Sequence, residues 1–152
     1  MPGSWPPNDF PSLDDSNCRE TSPFKRRYNC IAWAAGDTTR KWWPDFAHQG
    51  HWPPGIAREE TISAFVQAYE TLGYKLCFDE RLEPGIEKIA IYGLEIQGQG
   101  ILPTHAARQL ENGEWTSKLG DFEDISHTTL DALNGPVYGR MICCVARPRR
   151  ST

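Results

Sequence analysis

The sequence predicts an α+β domain, with N-terminal helices packed on an antiparallel β-sheet, and three observations predict it. A run of helix formers from Cys30 to Ala35 stops at Gly36, and a longer periodic stretch follows from Arg58 to Gly73. From Tyr74 onward, short apolar segments rich in β-formers alternate with glycine-bearing turns. One of those turns, Asn112-Gly113, is a strong short-range hairpin signal, so the sheet is expected to be antiparallel.

The elements follow in order. Residues 1–27 hold five of the twelve prolines and show no apolar periodicity, which predicts an extended arm whose Trp5, Phe10, Leu13 and Phe24 can pack across the domain. A single domain is expected over residues 28–148, with a basic tail at 149–152. Between the two helices, Asp37–Pro54 is an aromatic loop carrying Trp42, Trp43, Phe46 and Trp52, broken by Pro44 and Pro53-Pro54. In the second helix Ile62, Phe65, Val66, Tyr69 and Leu72 share one face, as a core helix requires. Strands are expected at 74–78, 88–96, 104–110, 114–119 and 138–146, with a loop and a short helix between the last two.

Composition narrows the functional classes. A net charge of −4 argues against general nucleic-acid affinity, and no apolar run approaches the roughly eighteen residues of a membrane span. The N-terminus has neither the basic nor the apolar segment of a secretory signal, and five cysteines without C-x-x-C spacing suit reduced thiols, so a cytoplasmic location is expected. His48 and His51 could form half of a metal site but lack a matching ligand set in the sequence, so no metal and no cofactor is expected.

The chemistry points to Cys30. A thiol in the first turn of a helix feels the positive end of the helix dipole, which favours the thiolate. A thiol hydrolase also needs an imidazole and a group that orients it. His105 is the histidine expected on a strand, between Thr104 and the small Ala106-Ala107 pair. The orienting group comes from the next strand, and its identity depends on the hairpin. A two-residue turn presents Thr116 and Lys118 on the His105 face, whereas a three- or five-residue loop or a bulge presents Ser117.

This arrangement resembles the papain-like superfamily, in particular its NlpC/P60 and CHAP-type amidases and peptidases. More narrowly, Tyr28-Asn29-Cys30…Ala34, followed by His105-Ala-Ala-Arg-Gln…Gly113-x-Trp115-x-x-Lys118-x-Gly120, is similar to uncharacterised bacterial domains with the same pattern. The resemblance implies Cys30 as nucleophile, His105 as base and Ser117 at the orienting position, where such enzymes keep His, Asn or another polar residue. It implies oxyanion contacts from Asn29 or Tyr28 together with the Cys30 amide; the residues of the aromatic loop, Trp43 among them, suit either a substrate groove or a lid over the core. The expected partner is then a peptide or another amide-bearing substrate. The alternative is a catalytically silent papain-like domain that binds a partner through the loop of Trp42–Trp52.

Overall fold

The computed structural model describes residues 5–150 apart from Pro7, Phe24, Arg26 and Asp121. Any packing by Phe24, and residues 151–152 of the expected tail, lie outside those described. The chain forms seven strands: β1 (Cys18–Ser22), β2 (Lys75–Cys77), β3 (Ile86–Ile96), β4 (Gly100–Gln109), β5 (Trp115–Lys118), β6 (Asp124–His127) and β7 (Arg140–Pro148). They make one antiparallel sheet in the order β1-β6-β5-β4-β3-β7-β2. Among the described residues, helix is confined to α1 (Cys30–Ala35), α2 (Ile62–Glu70) and a 3-10 turn at Asp131–Leu133.

The expected α+β arrangement, with a layer of N-terminal helices on a papain-like sheet, is therefore corrected. The first element is a strand, and the sheet dominates the molecule. The second helix starts at Thr61 rather than Arg58, because the Thr61 hydroxyl accepts from the Ala64 amide and caps it there. No helix among the described residues is long and apolar enough to cross a membrane.

The alternation of side chains along each strand divides the interior into two clusters. On the helix face Ile89, Ile91, Ala106 and Val145 pack with Ile31, Phe65 and Tyr69, and the aromatic loop completes the cover through Trp42 and Trp52. On the other, the arm face, Ala90, Tyr92, Ala107, Trp115 and Ile125 pack with Trp5, Phe10 and Leu13 of the arm, and with Leu130, Leu133 and Tyr138. The period of two along β3 and β4 places Ala106 and Ala107 in opposite clusters.

Two further expectations meet the structure here. The arm runs into the sheet, since β1 pairs with β6 from Cys18↔His127 to Ser22↔Asp124. The C-terminal arginines are docked: Arg147 Nη2 lies 2.8 Å from the Glu87 carboxylate, and Arg150 donates to the Leu72 carbonyl at 3.0 Å.

Candidate functional site

Asn29 builds the N-terminus of α1. Its backbone is extended, and its side-chain oxygen accepts from the Ala32 amide at 3.1 Å, the geometry of an N-cap. The same oxygen accepts from the Trp42 amide, and its NH2 donates to the Trp42 carbonyl at 2.8 Å. Both ends of the Asn29 amide are thus engaged in fixing the aromatic loop to the helix. Gly36, at φ 83°, closes the helix.

Cys30 starts this helix with its side chain in the helix-face core, 8 % exposed. The Sγ atom sits 4.0 Å from the Thr104 carbonyl. Burial raises the thiol to about 11; backbone amides and the Lys118 charge oppose that rise without overcoming it. The thiol form dominates at neutral pH.

His105 lies on the other side of the sheet. Its ring stacks on Tyr138 with centroids 4.0 Å apart and planes 13° apart, and meets Tyr92 edge-on. Both tyrosines belong to the arm-face cluster, whereas Cys30 belongs to the helix-face cluster. The sheet separates the expected nucleophile from the expected base.

The structure does bring His105 to Ser117, with Nε2 and Oγ 2.9 Å apart. The hairpin explains why. Leu110 N donates to Glu114 O at 2.7 Å and Gln109 pairs with Trp115, so the loop has three residues, Glu111 to Gly113. That register puts Ser117, rather than Thr116 or Lys118, on the His105 face. A third member joins from β6: Ser117 Oγ lies 2.8 Å from His127 Nε2, and His127 Nδ1 lies 2.8 Å from the Thr129 carbonyl. A carbonyl only accepts, so the His127 proton is on Nδ1 and its Nε2 accepts from the Ser117 hydroxyl. Ser117 then accepts from His105 Nε2–H. His105 Nδ1 is left as a buried lone pair with no hydrogen-bond partner. All three residues are 0 % exposed. Burial, helped by the neighbouring His127, holds His105 well below the usual imidazole range, and burial lowers His127 to about 4. This is a closed, neutral chain.

The Cys30 face carries a different polar group. Asp124 Oδ2 accepts from the Ser22 hydroxyl at 2.5 Å and the Tyr28 hydroxyl at 2.6 Å. Lys118 is the register partner of Asp124, and its Nζ lies 5.6 Å from the centre of the Tyr28 ring. Tyr28 stacks on Trp33 at 5.2 Å and 17°, and the Trp33 indole donates to Thr116 Oγ1 at 2.9 Å. Above this pair opens a cleft of about 600 Å3 lined by Ser22, Lys25, Arg27, Tyr28, Trp33 and Thr38. Trp43, a candidate groove residue, instead packs edge-on against Phe65, and Trp42 and Trp52 are buried. No cluster of three or more potential metal ligands occurs among the described residues.

A family model described as Domain of unknown function (DUF7689) matches residues 19–146. The chain belongs to that family. No curated protein and no solved structure matches the chain. The DUF7689 description assigns no activity, and nothing in these comparisons connects the family to papain-like enzymes.

Two features of this DUF7689 domain escape a linear reading. His127 looks like a residue before a helix, yet it lies opposite Trp115 in β6 and completes the buried chain. Reading Asp124-Ile-Ser-His127 at period two, with Ile125 and His127 on one face, is the signal that finds it. The cleft is lined by one contiguous stretch, from Ser22 at the end of β1 through Lys25 and Arg27 to Trp33 of α1 and Thr38, so its members are near in sequence and only the stacking of Tyr28 on Trp33 is added by the fold.

Proposed function

We propose that the DUF7689 domain is a non-catalytic recognition module, which is the second of the two functions expected from its sequence. The observation that carries this reading is the separation of Cys30 and His105 onto opposite faces of one sheet. Nucleophilic catalysis by a thiol needs an imidazole within hydrogen-bond reach, at roughly 3 Å, or another means of forming the thiolate. Cys30 is buried, and its thiol is held well above neutrality. The Asn29 side chain caps the helix and braces Trp42, and Tyr28 donates to Asp124, so neither is directed at an oxyanion. The peptide or amide substrate expected of a hydrolase therefore gives way to a ligand that is held without being cut.

The surface used is the cleft over Tyr28 and Trp33 rather than the loop of Trp42 to Trp52, whose tryptophans serve the core. A cytoplasmic location belongs to the same reading, because the five cysteines are free thiols and a reducing compartment preserves them.

Alkylation by iodoacetamide across a pH series, read residue by residue in a mass spectrometer, tests the proposal. Cys30 should react more slowly than the half-buried Cys77 and Cys143, and His105→Ala should leave its rate unchanged. Rapid alkylation of Cys30 with an apparent pKa well below about 8.5, abolished by His105→Ala, would restore the hydrolase.

A further inference from the structure

We propose that the cleft lined by the segment joining β1 to α1 binds a small organic anion carrying an aromatic ring, of the size and chemistry of a mononucleotide. The inference rests on the recognition reading and adds the ligand class.

The first argument is preorganisation. The Tyr28–Trp33 stack is tethered at both outer ends, by the Tyr28 hydroxyl on Asp124 and by the Trp33 indole on Thr116. Asp124 is 0 % exposed and Lys118 is 1 % exposed, so the tethers are anchored in the sheet rather than in solvent. Tyr28 is 4 % exposed and braces Trp33 from behind, so the half-buried Trp33 is the ring on which a third ring stacks, and it loses little freedom in doing so. Stacking of this kind tolerates any base, because each has a π-face.

The second argument is charge. The chain carries −4 overall, yet among the described residues the two ionisable side chains lining the cleft besides Tyr28, Lys25 and Arg27, are both cations. The nearby Asp124 carboxylate is buried, with two hydroxyls donating to its Oδ2 and Lys118 opposite it in the register. An anion entering the cleft therefore meets exposed positive charge, with Arg27 offering the forked donor geometry that suits phosphate. The third argument is size: a volume of about 600 Å3 falls in the range of small-ligand sites.

The experiment is calorimetric titration of the full chain with 5′-AMP, adenosine and inorganic phosphate, at low and high salt. AMP should bind more tightly than either fragment, and its binding should weaken as salt is raised. In Lys25→Glu/Arg27→Glu the AMP dissociation constant should rise by about tenfold or more, with an unchanged melting temperature because both side chains are exposed. Trp33→Phe, which keeps a ring but removes the Thr116 tether, should weaken AMP and adenosine while leaving phosphate alone. The proposal is overturned if AMP is not bound, if the double variant binds it equally, or if phosphate binds as well as AMP. If AMP fails while Cys30 stays inert to alkylation, only the ligand class is lost. A hyper-reactive Cys30 dependent on His105 would remove the recognition reading itself.

Discussion

Ser117 illustrates how one atom can organise a buried region. Its hydroxyl accepts from one imidazole and donates to another, and neither histidine reaches water. Removing the hydroxyl leaves a buried N–H and a buried lone pair unmatched, so Ser117→Ala should cost about 2–3 kcal/mol in urea unfolding. Cys30→Ala removes only a small apolar group and should cost about 1 kcal/mol, so the supposed accessory outweighs the supposed nucleophile. The two neutral rings also couple the fold to acid. In the unfolded chain they take up protons near the ordinary value of about 6.5, whereas in the fold His127 does so only near 4 and His105 lower still. Their contribution is complete above pH 6.5 and is lost as pH falls toward 4, because the unfolded state then binds more protons. For His127 alone the loss approaches about 3 kcal/mol. Urea midpoints measured at half-unit steps should fall through this window, and His127→Asn should flatten the slope. A midpoint that stays level from pH 6.5 to 4.5 would mean that the rings are not held neutral.

At the scale of elements, the sequence is most legible where local chemistry acts alone. Helix α1 begins and ends where Asn29 and Gly36 say it should, and Asn29→Ala should cost about 1 kcal/mol from the cap alone, with a further loss from the freed Trp42 amide. In thermal melts Asn29→Asp should cost less than Asn29→Ala, since aspartate still accepts from the Ala32 and Trp42 amides and loses only the donation to the Trp42 carbonyl. The central strands are legible from their apolar runs. Strands β1 and β6 are not, because Cys-Arg-Glu-Thr-Ser and Asp-Ile-Ser-His carry almost no apolar signal, and each is a strand only by virtue of the other and of β5. The hairpin register was open in the sequence, since Asn112-Gly113 suits both two- and three-residue loops; Gly113 at φ 89° is the left-handed residue of the longer one. Gly139 marks a place the sequence does not reveal. At φ 74°, a Cβ there would stand 2.0 Å from the Gly93 carbonyl oxygen, so β7 can enter the sheet only as a bare backbone. Gly139→Ala should prevent accumulation of folded protein, seen as loss of the soluble, cooperatively melting species.

For the whole molecule, the separation of Cys30 from His105 is a matter of parity along β4: Ala106 faces the helices, so its neighbour His105 faces the arm. The β3–β4 register shifts at Tyr92/Gly93, opposite the segment that carries Thr104. The arm is equally a whole-molecule feature. Trp5, Phe10 and Leu13 are buried against the arm face, worth roughly 2 kcal/mol each. A fragment trimmed to residues 19–146 should bind a hydrophobic dye and melt well below the full chain, whereas an arm without structural weight would leave both unchanged. Pairing of β1 with β6 has one more effect. The Ser22–Asp124 contact spans 102 positions, so β1 leaves the ribosome long before its neighbour β6 has been made. The sheet is closed at this edge by the strand made first of the seven, and their birth order runs against their order of assembly.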